Sequence, residues 1–200
     1  MLLHHIPGLL SQPQQEWTVI RNENVSVQGM YTGYILIVAA IAPLCALIGT
    51  TLLGWRIGAG EPVKLTFDSA FQIAIAFYMA ILVATFTIGM LIHWMSQTYG
   101  GEKPLHVCLA LAAYTATPLF LVGVMQLYPT LWLNFVVGLP ALAYTVYLLY
   151  TGVPVMMEIP AERGFLFATS ILAVGLVALV GLLAVTAALW GIGVGPRFTN

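Results

Sequence analysis

Four long stretches without a single Asp, Glu, Lys or Arg constrain this chain more than any other feature. They run over residues 24–55, 69–101, 104–157 and 164–196. A helix that crosses the hydrocarbon core of a bilayer needs about 20 apolar residues, at about 1.5 Å of rise each. The first, second and fourth stretches therefore hold one crossing apiece, and the third is long enough for two. A reversal inside the third is marked by Tyr128-Pro129-Thr130, because proline does not continue a preceding helix cleanly. The spacing predicts five spans over about 30–54, 67–97, 105–127, 131–150 and 163–190. They form a transmembrane domain over 26–191, flanked by an N-terminal segment, 1–25, and a short tail, 192–200. A re-entrant course for one span of the third stretch would reduce the count to four.

Composition explains why the stretches must be membrane spans. Only 6% of residues are charged and 60% are hydrophobic, whereas a soluble domain carries about 25% charged residues. The bilayer offers no water to backbone groups, so the spans must be helices. A β-barrel is excluded because the apolar runs are continuous rather than alternating. The expected fold class is an all-α polytopic membrane helix bundle. A net charge of -1 gives no basic field for a nucleic-acid partner. Cys45 and Cys108 sit in apolar runs with no Cys-x-x-Cys pairing, and read as small hydrophobes. The first eight residues contain no Lys or Arg, so the positive region of a cleavable signal is missing. The first long apolar run, from about Met30, is expected to serve as insertion signal and remain as a span.

Helix ends are marked along the chain. Ser26 can cap the first span, and Asp68 places an acid in the first turn of the second. Gly100-Gly101 can end the second span, Pro104 suits the start of the third, and Pro160 with Glu162 opens the fifth. Pro43, Pro118 and Pro140 fall inside spans and are expected to bend them. Residues 11–24 read as a short amphipathic helix at the membrane surface, with Ser11 as N-cap, Pro13 near the first turn and Trp17 as anchor. Lys and Arg do not orient the bundle: Arg21, Lys103 and Arg163 lie on one side, and Arg56, Lys64 and Arg197 on the other.

A chemical centre within a membrane usually shows ionisable residues at depth, and no span centre carries one. His93 and His106 flank the hairpin between spans two and three with Glu102 nearby. A metal wants three or four such ligands, and no third firm one and no His-Glu-x-x-His pattern accompanies them. No metal, cofactor or catalytic residue is expected. Ser96 follows His93 by three residues without a carboxylate to complete a triad. Gln72, Gln126 and Asn134 are polar residues in or near spans that read as interhelical hydrogen-bonding groups. The sharper alternative is a polar pathway lined by Thr117, Gln126 and Asn134 and opened by bends such as that at Pro118. Small residues recur four apart, as in Ala112/Ala116, Ala113/Thr117, Gly164/Ala168 and Ala184/Ala188, with Gly175, Ala178 and Gly181 beside them, allowing close helix approach. Residues 151–163 read as an exposed interfacial loop, in which Glu158 or Glu162 pairs with Arg163 or with Lys103. Gly191, Gly193 and Gly195 make no nucleotide fingerprint, since no strand precedes them.

Four segments, in order, resemble the Yip family (Ypt-interacting proteins) in its short bacterial branch. They are Pro13…Trp17…Ile20, Tyr114-Thr115-Ala116-Thr117-Pro118, Leu148-Leu149-Tyr150-Thr151-Gly152-Val153 and Ile159-Pro160-Ala161-Glu162-Arg163-Gly164. The resemblance extends from residue 13 to about 185. It implies a bacterial inner-membrane protein with a cytoplasmic N-terminus, and it carries over no catalytic residue. Eukaryotic relatives are associated with Rab-type GTPases and carry a long cytosolic N-terminal region that these 200 residues lack. The expected function is non-enzymatic: a protein of the lipid bilayer that organises or binds other membrane components, as membrane-protein partners or as a homo-oligomer. The alternative is a small-solute transporter, channel or lipid-moving protein.

Overall fold

A computed structural model describes residues 2–56, 61–99, 102–191 and 195–199. A 3-10 turn, Leu2–His4, leads into α1 (His5–Ser11) and α2 (Pro13–Glu23). The long helices follow as α3 (Val27–Leu53), α4 (Phe67–Tyr99), the bent pair α5 (Leu105–Thr115) and α6 (Thr117–Leu127), α7 (Leu131–Met157) and α8 (Ala161–Gly191). By length and hydropathy, α3, α4, α7 and α8 can each cross a membrane, α8 over Ala161–Gly181, and α5 with α6 passes the same test at a bend of 42°. The architecture is thus an all-α polytopic helix bundle.

Two helix breaks have their proline cause in view. Thr117 and Pro118 open α6 one residue after the break at Ala116. In α3, the break at Ala40 lies one turn ahead of Pro43, because the proline ring displaces the carbonyl of the preceding turn. Pro140, by contrast, sits within an uninterrupted α7. Ser26 caps α3 by accepting the Gly29 N–H at 3.1 Å, and Asp68 occupies the first turn of α4. The Gly100-Gly101 stop lies outside the described residues.

The connections sort to two opposite ends. At one, Asn24, Lys103, His106 and Glu158 meet. At the other, Arg56 pairs with Thr130, and Leu65 with Phe198. The chain therefore runs between these ends five times, with α5–α6 as the third passage.

Burial is concentrated at the first end. Residues 108–115 of α5 are buried on every side, so α5 is the central helix there. In α7 the buried residues are Leu148, Leu149, Gly152, Val153, Met156 and Met157, all in its second half, while Leu139 and Val136 in the first half are 60% and 61% exposed. Phe167 and Ala168 at the start of α8 are buried, whereas Val177 is 73% exposed. Apolar side chains need protein around them in water but not in lipid, so a protein-packed end and a lipid-facing remainder follow from one rule.

Three sequence expectations change here. Residues 151–163 are not a loop: α7 continues to Met157 and stops at Glu158, which adopts a left-handed conformation (φ 54°). Thr151 to Met157 stay helical because their apolar side chains find a core, and Pro154 seats against Gly164 at the α7–α8 hairpin. Ser11, in turn, does not cap α2. It closes α1 by donating its hydroxyl to the Pro7 carbonyl at 2.8 Å, Gln12 makes the reversal, and Pro13 is the first residue of α2. Trp17 is consequently no surface anchor. It is fully buried, against Gly152 and Leu111.

Candidate functional site

The α1–α2 hairpin gathers four ionisable residues at one spot. Glu16 and Glu23 are seven apart on α2, two helical turns, so both face α1. Between them lies the His5 side chain, fully buried. Its Nδ1 meets the Glu16 carboxylate in a short hydrogen bond, and its Nε2 lies 3.0 Å from Glu23 Oε2. His4 Nε2 is 3.4 Å from the other Glu23 oxygen, and the two imidazoles stand 3.9 Å apart. The edge of the Tyr114 ring closes the spot, 5.3 Å from the His5 ring centre. Partial burial pushes the Glu23 carboxyl up, but the His5 hydrogen bond and the charges of His5 and His4 outweigh it, leaving the carboxyl below its ordinary range. The hairpin is fastened to the bundle by Tyr144, whose hydroxyl donates to the Leu9 carbonyl at 2.9 Å.

The polar residues singled out by sequence go to separate duties. Thr117 is fully buried, donates to the Tyr114 carbonyl at 2.6 Å and receives the Tyr34 hydroxyl at 2.5 Å. It thereby satisfies the bend before Pro118, itself buried. Asn134 donates to the Tyr128 and Thr130 carbonyls at 3.2 and 2.9 Å, holding the turn between α6 and α7. Gln126 is half-buried in the last turn of α6, and its backbone carbonyl packs against Gly49. His93 Nδ1 bonds the Lys103 carbonyl at 2.8 Å, while His106 Nε2 bonds Asn24 Oδ1 at 3.0 Å, so the two histidines do not converge.

Glu158 is the hub of the exposed charges. It pairs closely with Lys103, and Arg21 Nη1 approaches it at 3.6 Å. Glu162 and Arg163 stay exposed in the first turn of α8. The hydrogen bond and charge of Lys103 hold the Glu158 carboxyl below its usual value of 4.5. A carboxyl depressed on folding stabilises above its unfolded pKa and loses that contribution as the pH falls through the folded value. The melting temperature of Glu158→Gln should therefore lie slightly below wild type at pH 7, and the gap should close as the pH drops below 4.5. Added salt should shrink it too, because the pair is exposed.

A different feature lies along the membrane-spanning surface. Between α4 and α8 runs a groove of about 370 Å³, lined by Val83, Ala84, Ile88, Leu91, Val174 and Gly175 among others. Its lining is apolar apart from Thr87, whose hydroxyl is turned back to the Val83 carbonyl at 2.8 Å. Val83, Ala84, Thr87 and Ile88 are exposed, so the groove opens sideways.

Sequence reasoning missed both the hairpin cluster and the groove. The cluster had one legible trace, a His-His pair followed by two glutamates at two-turn spacing. What hid it was the chain reversal at Gln12. The groove had no trace, since its lining residues are ordinary span residues.

Comparison with known proteins agrees with this architecture. The profile of the Yip1 domain matches residues 8–182. Inner membrane protein YohC of Escherichia coli (strain K12) is 43% identical over 191 residues, which cover 96% of this chain and 98% of that protein. The protein of the same name in Escherichia coli O6:H1 (strain CFT073) shows the same identity and coverage. No solved structure gives a significant match. A Yip1 profile that covers residues 8–182, together with relatives matched over nearly their full length at 43% identity, means that the chain belongs to the Yip1 domain family.

Proposed function

We propose that the protein is a non-enzymatic component of the bacterial inner membrane, with its N-terminal hairpin on the cytoplasmic side, that organises its surroundings by holding a lipid acyl chain in the α4–α8 groove. The full-length likeness to an inner membrane protein supports the location. The groove carries the functional reading. A space of about 370 Å³ that is open along its side suits a slim hydrocarbon chain. The lining makes no polar demand, and the opening faces the lipid. Two of the three polar residues that a solute pathway would use, Thr117 and Asn134, are already bonded to backbone and to Tyr34.

A groove-filling variant tests this. A Cβ at Gly175 would meet nothing within 4 Å, so Gly175→Trp can enter the groove without displacing backbone. Protein purified in mild detergent and analysed by native mass spectrometry should retain phospholipid as wild type and lose it several-fold as Gly175→Trp. Equal retention by the two would overturn the assignment.

A further inference from the structure

We propose that His4, His5 and Glu23 form a binding site for a divalent transition metal of the zinc class, which clamps the open end of the α1–α2 hairpin. The inference is independent of the lipid groove and rests on geometry. One nitrogen from each histidine and one oxygen from Glu23 all lie within 4.8 Å of one another. His5 Nε2 lies 3.0 Å from Glu23 Oε2 and His4 Nε2 lies 3.4 Å from the other oxygen, Oε1. Zinc bonds to nitrogen and oxygen of about 2.0–2.1 Å in a tetrahedron place neighbouring ligand atoms about 3.3 Å apart. Small side-chain movements therefore suffice to admit an ion.

The carboxylate behind His5 supports the assignment. A metal-bound histidine usually donates its other ring N–H to a carboxylate, which fixes the tautomer and aims the free nitrogen at the metal. Glu16 stands in that position for His5: it takes Nδ1 and leaves Nε2 directed at Glu23. The His5 ring is wholly buried and cannot swing away. His4 and Glu23, with side chains 59% and 31% exposed, give an ion access from water. Two imidazoles, which are borderline donors, beside one carboxylate suit zinc better than calcium or magnesium, which take oxygen ligands. Three protein ligands leave a fourth position for water. His4 ends the 3-10 turn and His5 starts α1, while Glu23 ends α2, so binding would join the start of the hairpin to its end.

The rival is a histidine that merely bridges two carboxylates. Tag-free full-length protein in detergent, stripped with chelator, should be titrated with Co²⁺ and Zn²⁺. A site of this kind gives one tight equivalent by calorimetry, the visible absorption of tetrahedral Co²⁺, and a higher melting temperature with Zn²⁺. His4→Ala should weaken affinity at least tenfold, and because His4 also contacts Glu23 and the His5 ring, its metal-free melting is measured alongside so that affinity is compared between folded proteins. Glu23→Gln should weaken binding as well. Absence of a saturable equivalent, or equal affinity in wild type and His4→Ala, would overturn the proposal, and His4→Ala keeps the test decisive even if Glu23→Gln does not fold.

Discussion

Trp17→Ala is expected to destabilise the purified protein by about 3–5 kcal/mol, the usual cost of emptying a fully buried large aromatic site. The indole is completely buried. It seats where Gly152 leaves room: a Cβ at Gly152 would lie 2.7 Å from Trp17 Cε2 and 3.0 Å from Leu111 Cδ1. The tryptophan thus joins α2 to α7 and α5, and its loss opens a cavity at the junction of three helices. Trp17→Phe should be far milder. The indole Nε1 has no hydrogen-bond partner among the described residues, so phenylalanine forfeits volume but no bond. Gly152→Ala should destabilise alone and be partly relieved by Trp17→Ala, because the added methyl then occupies vacated space. Contacting residues that share a cavity are non-additive in this sense. Thermal melts of the four variants in one detergent give the comparison. A Trp17→Ala protein that melts with wild type would place the indole at the lipid surface instead.

Gly49→Ala should be the most damaging glycine substitution in the spans. A Cβ there would fall on the Gln126 carbonyl oxygen and within 2.8 Å of the Leu127 carbonyl oxygen. Backbone atoms cannot rotate aside as a side chain would, so α3 and the end of α6 must separate. Overpacking of this kind costs about 1–3 kcal/mol and more when backbone must move. Gly123→Ala probes the same crossing from the other helix, since its Cβ would come 2.6 Å from Ala42 Cβ and 2.9 Å from Ala42 Cα. Gly138→Ala is the control. It meets nothing within 4 Å, so the better helix propensity of alanine should leave it neutral or slightly stabilised, by up to about 1 kcal/mol. One substitution with opposite signs at three sites separates backbone approach from propensity in a single melting experiment. Equal melting of Gly49→Ala and Gly138→Ala would refute the close crossing.

The helix ends show how far local sequence reaches. Ser26 caps α3 because its hydroxyl and the Gly29 N–H are three residues apart, and nothing distant is needed. The break before Pro118 follows from a missing N–H and a ring clash, which are also local. The second half of α7 behaves otherwise. Pro154, Gly152 and Thr151 read as turn residues from propensity, yet they continue the helix because Trp17, Leu111 and Gly164 pack around them. Glu158 found Lys103, one of the two cations the sequence offered, together with Arg21, which lies 137 residues earlier in the chain. Trp17 is the clearest divergence. An amphipathic pattern names the face that leaves water, but not whether lipid or protein receives it.

The sequence by itself determined membrane residence and the helices that are long and apolar enough to cross. A bilayer acts as a solvent, and its demands are met residue by residue along one segment. Tertiary structure alone decided that α1 and α2 fold back at Gln12, that Trp17 enters the core, and that His4 and His5 meet Glu16 and Glu23. It likewise decided that a groove lies between α4 and α8. These outcomes depend on which helix faces are brought together. Apolar side chains satisfy lipid and protein neighbours equally well, so hydrophobicity along the chain cannot choose between them.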